Sequence, residues 1–234
     1  MVISVAAISI VDAIANDLRE RLFSGGLTPT AALTETDIAG SYDVARPTAK
    51  AAIERLVAEG LLVRGPHKTA RVALLGPDAV RDIYLARAYL ESEVLRRLAG
   101  TRSVPAEAVR ANADIAALTD ESPLAVVEPD MRFHLSLIDA VGNERISKMY
   151  RSLVGEVRLC MTRAQALKLL DTSLIHDEHE RILALLGAGE SAAAAQLLDE
   201  HLARARERLA AALEGTPELG TDATTTSTPM SAAQ

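Results

Sequence analysis

Residues 33–64 read LTETDIAGSYDVARPTAKAAIERLVAEGLLVR, and this stretch decides the fold. Thr34 stands where a helix cap is wanted, with Asp37 three residues on in the pattern of a capping box. A short helix is expected over 35–41, then a turn at Ser41-Tyr42-Asp43. The spacing predicts a further helix over 46–59, with Pro47 in its first turn. Ala52, Ile53, Leu56 and Val57 form the apolar stripe of that helix, and Gly60 stops it. Leu61-Leu62-Val63 reads as a short strand, Pro66-His67-Lys68 as a turn, and residues 70–74 as a second strand. Upstream, Ile10, Ala13, Ile14, Leu18 and Leu22 give the stripe of a helix over 9–23, which ends at Ser24-Gly25-Gly26. Three helices followed by a two-stranded hairpin make a winged helix-turn-helix, expected over residues 1–76.

Charge is distributed to match. The chain of 234 residues carries a net charge of −7. Residues 46–71 nevertheless hold Arg46, Lys50, Arg55, Arg64, Lys68 and Arg71 against only Glu54 and Glu59. A basic stretch inside an acidic chain suits contact with phosphates. The helix that starts at Arg46 displays Thr48 and Lys50 on its first turns, where they can enter a major groove. His67 and Lys68, at the tip of the wing, can reach phosphate or the minor groove.

Beyond Gly76-Pro77 the pattern changes. Helical periodicity covers 78–99, 105–119, 123–141, 143–169, 172–187 and 190–213, and no strand is expected. The fold class is mainly α: the winged unit followed by an all-α, six-helix antiparallel bundle over residues 77–213. Residues 214–234, rich in Thr, Ser, Ala and Pro, are expected to be a disordered tail. Apolar residues make up 49% of the chain, which supplies a core, and aromatic residues only 3%. The single cysteine, Cys160, cannot form an intrachain disulfide and reads as buried packing. The N-terminal apolar run is broken by Asp12, Asn16 and Asp17, so neither a signal peptide nor a membrane span is expected. The expected compartment is the cytoplasm.

Inside the bundle, polar residues fall on apolar stripes. Asp130 and His134 lie four apart, on or beside the stripe of Leu124, Val127, Met131, Leu135 and Ile138. His179 lies with Ile175, Ile182 and Leu186. His201 lies with Leu197, Leu198, Leu202 and Leu209. One inward histidine is usually a satisfied core residue. Three of them plus a carboxylate would each carry a desolvation cost without a common partner, and a divalent transition metal supplies that partner. Zn²⁺ heads the candidates, with Ni²⁺ and Mn²⁺ admissible. Arg87 and Glu91 interrupt a further stripe, of Val80, Ile83, Tyr84, Leu90, Val94, Leu95 and Leu98. They form either a buried intrahelical ion pair or, with the arginine free, a clamp for an anionic effector. His176, one turn before His179, is either a cavity residue or an exposed one.

The 33–64 stretch resembles the winged-helix signature of the GntR superfamily. The matching features are Ile38-Ala39, Val44, Arg46 and the run from Leu56 to Leu62. The resemblance implies operator contacts from the start of the third helix and from Thr36. Ala45 departs from it, since a hydroxyl residue usually caps that helix. Lys50 stands where arginine is common, and the wing lacks its usual glycines. Residues 78–213 are similar to the FCD ligand domain of one GntR subfamily, through Arg87 with Glu91, Asp130-Met131-Arg132-Phe133-His134, Gly142-Asn143, and the stretch from His179 to His201. What the resemblance implies is a homodimeric, metabolite-responsive regulator, usually a repressor, on a palindromic double-stranded operator. Arg87 then belongs to the wall of a cavity that takes a small organic acid. Two rival readings are a metalloenzyme with an appended DNA-binding unit and a purely structural metal site. No nucleophile with a general base, and no paired Glu-x-x-His motif, supports the enzyme.

Overall fold

A computed structural model of the chain describes residues 9–27, 32–65, 69–119, 123–169 and 171–214, with the side chains of 123 and 124 left aside. His67, Lys68, the side chain of Leu124 and the tail from 215 onward lie outside the described residues.

Helix α1 spans Ile10–Phe23 and is capped by Ser9, whose hydroxyl accepts from the Asp12 amide. Strand β1 is the two-residue Leu33–Thr34. Thr34 then caps α2, Glu35–Ser41, by accepting from the Asp37 amide, while its own hydroxyl donates to the Asp37 carboxylate at 2.7 Å. Helix α3 covers Arg46–Ala58 and has no side-chain cap, because Ala45 offers no acceptor. Strands β2, Leu62–Arg64, and β3, Thr69–Val72, form the wing. The sheet has the order β1-β3-β2, antiparallel throughout, with Leu33 opposite Ala70 and Val63 opposite Arg71. Sequence reading finds the wing but misses β1, since two residues carry no alternation to detect. The core of this unit gathers Ile14, Leu18, Ile38, Ile53, Leu56 and Leu62.

Six helices follow: α4 Pro77–Gly100, α5 Ala106–Ala116, α6 Pro123–Ala140, α7 Glu144–Ala166, α8 Thr172–Ala188 and α9 Ser191–Glu214. Side-chain caps explain two of their starts. Asn143 accepts from two amides at the head of α7, and Asp171 from two at the head of α8. Gly189 closes α8 in the left-handed region at φ 83°, which glycine adopts without cost. Helix α6 carries Pro129 in its interior, immediately before Asp130. The stripes expected on α4, α8 and α9, with Val127, Met131 and Ile138 of α6, pack together in one core with Phe133, Tyr150, Val157 and Met161. No described helix is long and apolar enough to cross a membrane.

The two units meet at the end of α3. A Cβ built on Gly155, in α7, would lie 2.3 Å from the carbonyl oxygen of Glu59, and one on Gly60 would lie 2.6 Å from Glu156 Cγ. Backbone therefore rests on backbone. Gly60, at φ 71°, also makes the left-handed turn out of α3. The Glu59 carboxylate receives Arg19 through both Nε at 3.0 Å and Nη2 at 2.8 Å. Arg158 of α7 lies over the Phe23 ring, 4.6 Å from its centroid.

Candidate metal centre and DNA-reading face

Asp130, His134, His179 and His201 come together from α6, α8 and α9. One potential ligand atom from each lies within 4.8 Å of the other three. All four residues are buried, His134 and His179 completely. The i, i+4 spacing puts Asp130 and His134 on one face of α6. The inward stripes of α8 and α9 supply the other two rings.

Hydrogen bonds fix how the rings face. His134 Nδ1 donates to Glu91 Oε2 at 2.5 Å, which leaves Nε2 buried and without a partner. His201 Nδ1 donates to Glu178 Oε2 at 2.9 Å. A carboxylate behind an imidazole is the usual support of a metal-binding histidine, since it sets the tautomer and turns the other nitrogen inward. His179 has both ring nitrogens buried and unpartnered. Its ring stacks flat on Phe133, with centroids 3.6 Å apart.

Electrostatics favour an ion. Burial drives the His179 pKa well below the usual imidazole value, and the His201 and His134 rings add to this. The ring is therefore neutral, with a lone pair to offer. Asp130 Oδ1 lies 3.6 Å from His179 Nε2, and Oδ2 lies 3.7 Å from His134 Nε2, both beyond hydrogen-bonding range. A buried carboxylate facing lone pairs is unfavourable alone, and a cation at their centre relieves His134 Nε2, one nitrogen of His179 and the Asp130 carboxylate together. Four ligands held tetrahedrally about 2.1 Å from one ion lie about 3.4 Å apart, so pairs separated by up to 4.8 Å here close by up to about 1.4 Å around an ion. The donor set fits a divalent transition ion.

Glu91 anchors the neighbouring network. It accepts from Arg87 Nε at 2.9 Å, from Tyr150 Oη at 2.8 Å and from His134. Burial alone would push its carboxyl up, but the His134 ring, the Arg87 guanidinium and these hydrogen bonds outweigh burial and hold it at about 2. Arg87 spends Nε on Glu91, while its Nη2 is buried with no partner. Arg87, Asp130, Glu178, His201, Arg204 and Arg208 line a cavity of about 30 Å³ beside the cluster. Neither Glu91 nor His176 lines it. Glu91 stands behind Arg87 and His134, and His176 Nδ1 donates to the Asn112 carbonyl oxygen at 3.2 Å. Sequence reading does not single out Tyr150, Glu178, Arg204 or Arg208. Glu178 leaves a faint signal, as the neighbour of His179 in a helix whose inward face is broad. Tyr150 leaves none, because its contact with Glu91 joins residues 59 positions apart.

The residues expected to read DNA cluster at the start of α3. Arg46 and Lys50 are exposed one turn apart, with Thr48 half-buried between them. Thr36, exposed on α2, accepts from Arg46 Nη2 at 2.8 Å, so the two helices present a joined polar edge.

A helix-turn-helix reader with a wing, joined to a helical bundle with a polar interior site, defines a two-unit transcription regulator. Residues 10–72 match the bacterial regulatory proteins of the gntR family, and residues 82–204, more than half of the chain, match the FCD domain. The chain belongs to the GntR family of DNA-binding regulators, with an FCD domain as its second unit. It is similar to the Nta operon transcriptional regulator of Aminobacter aminovorans, at 28% identity over 68% of this chain and 74% of that protein. It is also similar to the HTH-type transcriptional repressor GlaR of Escherichia coli K12, at 25% identity over 79% and 89%. Among solved structures, a GntR-type regulator described as putative, from Rhodococcus sp. RHA1, shares the fold with a TM-score of 0.74, 23% identity and coverage of 86% and 98%. The E. coli protein McbR/YncC shares it with a TM-score of 0.67, 19% identity and coverage of 87% and 98%. These relatives are regulators, and the chain is a regulator rather than an enzyme.

Proposed function

We propose that the protein is a metal-dependent, organic-acid-responsive repressor that binds a palindromic operator as a homodimer in the cytoplasm. The observation that carries this reading is the pairing of two buried deficits. His134 and His179 of the Asp130–His134–His179–His201 cluster have buried ring nitrogens without partners, and the Nη2 of Arg87, beside it, has a buried N–H without an acceptor. Zn²⁺, Ni²⁺ or Mn²⁺ held by those four residues supplies a Lewis-acidic point for a carboxylate, and Arg87 offers the same carboxylate its free guanidinium nitrogen. Glu91 holds Arg87 and His134 in place rather than touching the acid. Residues 1–76 act as the reader and 77–213 as the sensor. Arg46, Thr48, Lys50 and Thr36 face the operator, with His67 and Lys68 reaching from the wing. A two-fold reader matches a two-fold site. The repressor sign follows the GlaR relative, whose name states it.

The size of the cavity bears on the effector. A water needs roughly 10–15 Å³ by the same measure, so about 30 Å³ admits only a very small acid unless the helices part. That tightness favours a second reading, a structural ion with no effector. Metal analysis and thermal shift separate the two. The purified protein should carry about one transition ion per chain, and His179→Ala should lose it. Small mono- and dicarboxylates should raise the melting temperature of the loaded protein and not of Arg87→Leu. If the ion is present but no acid stabilises the protein, the structural reading stands. If no ion co-purifies or can be loaded, both fail.

A further inference from the structure

A second cleft, of about 230 Å³, lies between the reader and the bundle. None of the residues that line it lines the metal-side cavity. Its walls are aliphatic and aromatic, and they come from both units: Leu22 and Phe23 of α1, Leu75 of the connection, Val80 of α4, Leu159 of α7 and Leu213 of α9. Two polar side chains break this surface, Thr162 and Arg163, successive on α7. Thr162 Oγ1 is buried with no hydrogen-bond partner. Arg163 is half-buried, and its guanidinium makes no ion pair among the described residues.

An apolar cleft with a hydroxyl and an unpaired guanidinium on one wall matches an amphiphile with an anionic head. The cleft opens to solvent, and its volume gives the scale of the tail it can cover. An apolar cavity of about 150 Å³ holds benzene, with six carbons, so 230 Å³ takes roughly nine. We propose that this cleft binds an apolar monocarboxylic acid of about nine carbons, with its chain between the two units and its carboxylate on Arg163, which Thr162 Oγ1 joins as a second donor. This site is independent of the metal and of the small acid proposed for Arg87.

Nonanoate is the probe, titrated into the full-length protein by calorimetry. One equivalent should bind saturably, equally well after metal removal and in Arg87→Leu. Ala166→Phe, placed on the exposed rim to fill the cleft, should abolish binding. Arg163→Gln should weaken nonanoate about tenfold or more while leaving 1-nonanol unchanged, since only the charged hydrogen bond is lost. The melting temperature of each unliganded variant reports its fold. Cys160 also lines the cleft, so nonanoate should slow its alkylation in the wild-type protein, a readout that needs no variant. The proposal is overturned if wild type shows no saturable binding. It is overturned too if Ala166→Phe and Arg163→Gln, both folded, bind as wild type, or if Cys160 is not protected at saturation. Loss of binding in Arg87→Leu places the acid in the metal-side cavity and equally overturns it.

Discussion

At the scale of single residues, the chemistry is set by what each buried atom lacks. Glu91 is the clearest case, with three donors converging on one carboxylate. Glu91→Gln removes the charge that faces Arg87 and leaves one acceptor oxygen where Arg87, Tyr150 and His134 now share two. Leaving a buried guanidinium uncompensated should cost about 3–5 kcal/mol in urea unfolding. Cys160 stands at the opposite extreme. Burial pushes its thiol up to about 12, so at pH 8 the thiolate fraction is very small. Its alkylation should be far slower in the folded protein than in denaturant, and equal rates would contradict its burial. Thr34 serves α2 alone, and Thr34→Ala should cost about 1 kcal/mol by the same unfolding assay.

Elements were legible in the sequence where their spacing is local. The cap at Thr34, the stripe of α3 and the polar intrusions on α6, α8 and α9 all follow from positions three or four apart. The structure brings together the four ligand candidates chosen from those intrusions. Partners that arrive from another helix were not legible. Tyr150 sits on α7 as one more apolar-face residue until α4 places Glu91 against it, and Glu178 shows its role only when α9 brings His201 and Arg204 beside it. Arg204 and Arg208 look like solvated charges of α9 until the cavity is seen. Helix α7 is the element that reaches furthest, since it touches Glu91 at one end and the end of α3 further along. Gly155→Ala sets a methyl 2.3 Å from the Glu59 carbonyl, and overpacking of this kind typically costs about 1–3 kcal/mol. The melting temperature should fall even though alanine is the better helix former. An unchanged or raised value would show that the contact yields freely.

Across the whole molecule, an acidic chain carries a local excess of positive charge over residues 46–71. The net −7 opposes a polyanion, while Arg46 and Lys50 stand exposed on α3. Operator affinity should therefore fall steeply with salt, and Lys50→Ala should reduce the slope of log K against log salt by about one if Lys50 touches phosphate. Arg46→Ala should abolish footprint protection, and persistent protection would move the reading face elsewhere. The joint between the units has a mechanical consequence. Where side chains separate two bodies, rotamer changes take up small displacements before either body feels them. Where Gly155 meets the Glu59 carbonyl no side chain intervenes, so at that point a slide of α7 along its axis bears directly on the end of α3.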